Sequence, residues 1–325
     1  MPQQFAAKPP LGIIYNTSMS RPDAVLALAL LYGFEGKRES RMGSVCIAGA
    51  GLNTAVYCDI VQKFYQLGPP RNANLSLPVG LAAEDPMPPD APMLRGAVEH
   101  QPEYPHTVRR FSDTSLAEAV IRNGVIFNSD AAVILSGPAA CLAKSLDLLG
   151  TRDLYKERVR RLIVVDTGAP QRDVSALRKV LAEWPSPVFF VGKEAGESLA
   201  YPGAAIEKDF AWSQAHPIVD AYRAFRPMPY DTPTWDLLAA HYAVHPDSGL
   251  LKASDLGMLN VSDDGRLQFT AGAGTVRALS VDPAQKEKLL ATLSELTSAK
   301  PVTPQQRFRP PSNAATPPPP PPAKK

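Results

Sequence analysis

The sequence predicts an α/β fold: a mainly parallel sheet with helices on both faces. Three observations carry that prediction. Short apolar segments recur along the chain at 13–15, 44–48, 131–135, 161–165 and 188–191. Segments with helical apolar spacing lie between them, and each apolar run empties into a turn of small or polar residues. Strands without polar alternation are buried on both faces, and strand–helix alternation over this length builds a parallel sheet.

In chain order, the first strand stops at Asn16, and the polar turn Asn16-Thr17-Ser18-Met19-Ser20 follows. Pro22 and Asp23 then open an almost wholly apolar helix that reads as ending at Gly33. The second strand ends at Gly49-Ala50-Gly51, and its helix carries Ala55, Val56, Cys58, Ile60, Val61 and Phe64 on one face. A short strand is expected at 75–79. A proline-laden loop over 80–106 follows, and loops of that length are commonly functional or mobile. Ser112 and Asp113 offer an N-cap to a helix at 116–122. The strand at 131–135 turns through Ser136-Gly137-Pro138 into a helix at 139–149, and the strand at 161–165 ends at Asp166. A helix at 174–184 and the strand at 188–191 complete the repeat. A helix at 235–244, a β-hairpin over 258–281 turning at Asp263-Asp264-Gly265, and a helix at 283–296 close the folded part. The expected organisation is a flexible N-terminus at 1–10, one α/β domain at 11–297, and a disordered Pro-rich tail at 298–325.

Bulk properties narrow the function classes. The 34 basic residues against 32 acidic ones leave a formal charge of +2, with no sign of a nucleic-acid or membrane-surface partner. No apolar run is long enough to span a bilayer. The first ten residues lack the basic and apolar regions of a signal peptide, so a cytoplasmic location is the default expectation. Cys46, Cys58 and Cys141 sit among apolar neighbours and read as reduced core residues. The tail could serve as a partner ligand or a spacer, and a homo-oligomer stays open.

Four places could carry chemistry. Ser20-Arg21-Pro22-Asp23 matches the S-x-x-D capping box, so Asp23 is a cap for its own helix or a site carboxylate. Gly49-Ala50-Gly51-Leu52-Asn53-Thr54 follows a strand and opens a helix, as a dinucleotide turn does. However, Thr54 takes the third glycine position and no acidic residue ends the next strand. A glycine turn for close strand–helix packing is the other reading. Asp236, beside Trp235 at the start of an apolar helix, is a dipole partner unless it faces the Asp23 turn. His241 and His245 share a helix face but lack the H-E-x-x-H glutamate.

Taken together, the turns resemble those of the inosine–uridine-preferring nucleoside hydrolases. The segment from Asn16 to Ala24 fits the frame D-x-D-P-G-x-D-D-A and runs into a similar Leu/Ala-rich helix. Val45 to Gly49 looks like the family's second strand and A-G-N turn. Leu135 to Ala143 looks like its G-P-L-T-N-L-A turn, and Trp235 to Pro246 like its late H-D-P-x-A-V-A-Y…D-P helix. The resemblance implies a nucleoside-hydrolase-like domain with a Rossmann-like core. It also implies hydrolysis of an N-glycosidic bond by a water activated on a calcium ion. Asp23 and Asp236 would ligate that ion, with the Ser136 carbonyl and Asn16 as neutral ligands. Asn53, Trp235 and Ala50 would lie against the substrate, a nucleoside or other ribosyl compound.

The departures concern the catalytic equipment. Asn16 stands where the resemblance places the aspartate that ligates calcium and takes the water's proton. An amide can offer an oxygen to a cation but cannot accept that proton. The base would then be Asp23 or a group elsewhere. Two carboxylates in place of four imply calcium held weakly or not at all. The alternative is a ligand-binding or scaffold protein of the same fold without turnover.

Overall fold

The computed structural model describes residues 9–65, 78–84, 86–167 and 173–301. The tail from 302 onward and residues 75–77 of the expected short strand therefore lie outside the described residues. The strands are β1 (Leu11–Thr17), β2 (Ser40–Ile47), β3 (Val79–Leu81), β4 (Ser115–Leu116), β5 (Ala131–Leu135) and β6 (Val159–Val165). They continue with β7 (Val188–Val191), β8 (Ala200–Tyr201), β9 (Thr232–Pro233), β10 (Leu251–Val261), β11 (Leu267–Ala271) and β12 (Val276–Val281). The helices are α1 (Pro22–Gly36), α2 (Leu52–Tyr65), α3 (Arg95–Val98), α4 (Ala117–Ile126), α5 (Ala140–Ser145) and α6 (Thr151–Arg158). They continue with α7 (Val174–Glu183), α8 (Lys193–Glu197), α9 (Gly203–Asp209), α10 (Pro217–Phe225), α11 (Trp235–Val244) and α12 (Lys286–Thr297).

Among the described residues, ten strands form one sheet in the order β11-β10-β12-β7-β6-β5-β1-β2-β3-β4, and β8 pairs with β9. Every pairing from β4 across to β12 is parallel, while β10 runs antiparallel to both β12 and β11. From β1 the chain winds outward one way through β2, β3 and β4. It then returns to β1's other side and winds the opposite way through β5, β6 and β7. The winding reverses between β1 and β5, which leaves a crevice beyond their carboxyl ends, the place where open α/β sheets bind ligands.

Side-chain alternation divides the sheet into two cores. Ile13, Tyr15, Ile134 and Ile163 face a core shared with α1, α2, α10, α11 and α12. Ile14, Val133, Leu135, Leu162 and Val164 face a second core, with α4, α5, α6 and α7. Helix α1 is buried continuously from Pro22 to Phe34, so it has no solvent face to make polar. It runs to Gly36, past the glycine expected to end it. Gly33 is a packing notch: a Cβ there would lie 2.1 Å from the Leu296 carbonyl oxygen of α12.

Other expectations shift in detail. The segment 139–149 is helical only over α5, Ala140–Ser145; turns follow it to Gly150, whose left-handed conformation (φ 73°) leads into α6. Asp113 does not cap α4; its carboxylate accepts from the Arg109 and Arg110 amides, one turn earlier. The C-terminal hairpin, β10 and β11, gains β12 as a third strand that joins it to the parallel sheet through β7. The proline-laden loop packs: Met93, Leu94 and Ala97 are buried, and the Tyr104 hydroxyl donates to Asp220 at 2.6 Å. The three cysteines are free and buried. No helix among the described residues is long and apolar enough to cross a membrane.

Two buried histidines set a pH dependence. Burial lowers His216 to about 3, and its Nδ1 accepts the Ile218 amide at the start of α10. Burial, then the nearby His245, lowers His241 to about 4. Both are neutral when folded and take up a proton on unfolding below their ordinary value of 6.5. Their stabilisation is whole above that pH and is lost as the pH falls toward 4. Each contributes a loss of about 2 kcal/mol between pH 6.5 and roughly pH 5. His216→Asn keeps a side chain suited to capping. Urea unfolding at the two pH values should show the difference reduced by about 2 kcal/mol in this variant; an unchanged difference would mean that His216 is protonated in the native protein.

Candidate functional site

At the carboxyl end of β1 the chain enters a compact turn. Met19, fully buried, takes a positive φ of 47°, a conformation a bulky residue adopts only when its surroundings force it. Its amide donates to the Thr17 hydroxyl at 3.0 Å, and the Ser18 hydroxyl donates to Ser20 at 2.9 Å. The turn abuts the residues after β5. Gly137 lies so close that a Cβ would meet the Thr17 carbonyl carbon at 2.8 Å, and the Ser136 and Gly137 amides both donate to the Asn16 carbonyl. The two strands at the winding reversal are thus bound together at their carboxyl ends.

The capping box does not form. Arg21 occupies the N-cap position of α1 without a side-chain cap bond. The Asp23 carboxylate instead reaches the start of a different helix, accepting the Asp236 backbone N–H of α11 at 3.0 Å. Asp23 therefore meets an orphan donor of α11, at the positive end of that helix dipole.

Between Asp23 and Asp236 lies the Arg21 guanidinium. Its Nε donates to Asp23 Oδ1 at 3.2 Å, and its Nη2 donates to Asp236 Oδ2 and, at 3.0 Å, to the Ser136 hydroxyl. Both carboxylates are essentially sealed from solvent, while the Arg21 side chain keeps about a quarter of its surface exposed. The Trp235 ring lies 5.9 Å from the guanidinium carbon, within cation–π range, and its indole N–H donates to the Lys193 carbonyl. Burial pushes the Asp23 carboxyl up, with Arg21 pulling it down and Asp236 adding to the rise. Arg21 is held protonated by the two carboxylates against its own desolvation.

Of the other expected site residues, Ser136 and Trp235 join this cluster. Asn16 does not: strand alternation turns it away from Tyr15, whose phenol feels both aspartates. The Asn16 amide is fully buried and makes no hydrogen bond among the described residues. Ala50 and Asn53 belong to the glycine turn after β2, where Gly49 takes a φ of 70° against Pro138. Three amides of that turn are already met. Glu84 accepts the Gly49 amide, and Asp90 accepts the Asn53 and Thr54 amides together with the Thr54 hydroxyl. Carboxylates of the proline-laden loop thus hold three of the N–H groups that a pyrophosphate could take. His241 and His245 pair with Ser248 and Glu39, and no group of three metal-ligating side chains occurs among the described residues.

These residues do not fit a calcium ion. Calcium takes about six to eight oxygens. Here both Asp23 oxygens and Asp236 Oδ2 are engaged by protein N–H groups, leaving Asp236 Oδ1 as the unpartnered carboxylate oxygen. The position between the carboxylates holds a guanidinium carried by the chain itself. Sequence reasoning missed Arg21 because it falls on an unspecified position of the turn frame. The available signal was a lone arginine two residues before the aspartate, in a turn otherwise free of charge. A separate open cavity of about 680 Å³ lies along α8 and β12, lined by Asp166, Phe190, Lys193, Glu194, Arg266 and Gln268 among others, and none of the residues around Arg21 lines it.

Removing one member of a buried ion pair strands the remaining charge. Arg21→Met should destabilise the protein by about 3–5 kcal/mol, whereas Ser136→Ala, which removes one hydrogen-bond partner, should cost about 1 kcal/mol. Urea denaturation of the two variants checks this; equal, small losses would mean that the guanidinium does not hold the carboxylates.

No protein-family model matches this sequence, and no curated protein matches it. Solved structures do match in fold. The inosine–uridine preferring nucleoside hydrolase from Bacillus anthracis is matched over 88% of this chain and 99% of its own, at 13% identity and a TM-score of 0.63. An inosine–guanosine nucleoside hydrolase is matched over 88% and 98%, at 14% identity and 0.66. The type III effector protein XopQ, complexed with adenosine diphosphate ribose, is matched over 91% and 95%, at 15% identity and 0.62.

Proposed function

We propose that this chain, whose fold is that of the nucleoside hydrolases, binds a ribosyl compound in the crevice between β1 and β5 without cleaving it. The observation that carries the reading is the Arg21 guanidinium seated between Asp23 and Asp236. Cleavage of an N-glycosidic bond by water needs a polarised water and a base within reach of it. Asp23 is buried, and its two oxygens are committed to Arg21 and to the Asp236 amide. Asn16 has no basicity to offer. What the site retains is recognition equipment. The exposed part of Arg21 offers N–H donors to hydroxyls or phosphate oxygens. Ser18, Ser136 and Asn53 make a half-buried polar rim, and the half-buried Trp235 ring stands beside the arginine. The substrate class follows from the fold's neighbours, which are named for nucleosides or carry adenosine diphosphate ribose.

The test uses the full chain with a nucleoside panel and adenosine diphosphate ribose. No free base should appear with or without calcium, and calorimetry should detect binding of at least one ribosyl compound, weakened at least tenfold by Trp235→Ala. Calcium-dependent release of base would overturn the absence of turnover. Silence in calorimetry across the whole panel would overturn the binding assignment.

A further inference from the structure

We infer that Arg21 is a resident cation: its guanidinium occupies the place between Asp23 and Asp236, and withdrawing it turns that pair into a divalent-cation site. The inference rests on the placement of the site given above and concerns what holds the two carboxylates when no metal does.

Charge argues first. Two aspartates, about 98% and fully buried, meet at one backbone N–H, and the α11 dipole compensates only part of their charge. Arg21 supplies a full positive charge toward the rest and is held protonated by the pair, while burial pushes the Asp23 carboxyl up and so lessens the charge left over. Its contacts also copy what a cation would demand. One planar group draws oxygens from three separate elements to itself: Asp23 of α1, Asp236 of α11 and Ser136 beyond β5. A second observation is independent of the arginine. Asp236 Oδ1 is buried and has no hydrogen-bond partner among the described residues, so an acceptor stands idle on the same carboxylate. Without the guanidinium, Asp23 Oδ1, both Asp236 oxygens and the Ser136 hydroxyl would converge on the vacated volume. Four oxygens with two or more waters meet the requirement of a hard divalent cation.

The arrangement explains how two buried carboxylates persist side by side: the chain carries their counter-ion covalently, two residues before Asp23. The ion is then present at fixed stoichiometry and independent of metal supply.

The experiment compares wild type, Arg21→Ala and Arg21→Gln in EDTA and in calcium chloride, with potassium chloride at equal ionic strength as control. Thermal unfolding is one readout. Terbium luminescence, sensitised by the neighbouring Trp235, is the other. Wild type should show no calcium-dependent shift and no sensitised terbium. Both variants should melt lower in EDTA and recover by roughly 3–8 °C at about 10 mM calcium, as a site of roughly 0.1–1 mM affinity would give. Both should also sensitise terbium. A variant that folds only with calcium supports the inference equally. Variants that gain neither a calcium shift nor terbium luminescence, folded or not, overturn it, as does wild type that binds calcium at this place. Calorimetry with ribosyl compounds on wild type is scored separately, so loss of the ligand assignment leaves the resident cation standing, and the reverse.

Discussion

The ion pair of Arg21 with Asp23 and Asp236 holds the functional end of this molecule together. It joins the turn after β1, the segment after β5 and the first turn of α11 at one guanidinium. Those elements arrive from opposite directions, since α1 and α11 pack side by side in the core beneath β1 while Ser136 comes from the strand on β1's other side. An apolar core could bring the helices together, but it could not fix two carboxylates within reach of each other. Burying them without a cation would cost several kcal/mol. The strained backbone at Met19, the proline opening α1 and the Gly137 contact all place Arg21 where it can make these bonds.

The same economy recurs across the crevice. The glycine turn after β2 presents amides of the kind that bind phosphate, and Glu84 and Asp90 take them. Polar groups that would await a ligand in an open site are largely satisfied from within. On the proposed reading, recognition falls to what remains partly exposed, which is Arg21, Trp235 and the serine and asparagine rim. That reading has a ligand held by the edges of the site, with both Asp23 oxygens already engaged by N–H groups.

Much of the fold was legible because the central strands β1, β5 and β7 are apolar on both faces and turns such as Ser136-Gly137-Pro138 divide strand from helix. The helix at 235–244 appears at those limits, and α7 begins at the expected residue. What was not legible depends on contacts between distant segments. Gly33 reads as a helix stop but is a notch for α12, which only the packed structure reveals. Asp23 matches a local capping box, yet it serves a helix 213 positions away. Asp236 reads locally as a dipole partner of α11, and its approach to Asp23 comes from the packing of α11 against α1. Arg21 escaped notice because turn frames specify the residues that are kept, and an unspecified position that supplies the compensating charge has no pattern to match.

The most direct test of the resident cation is the Arg21 side chain itself, followed through its Nε–H resonance by nitrogen–proton NMR on the labelled full-length protein. An Arg21 Nε–H held between buried carboxylates should exchange slowly and stay in place as calcium is raised to about 10 mM. A resonance that exchanges like a solvated arginine, or that moves toward that behaviour as calcium is added, would contradict the account.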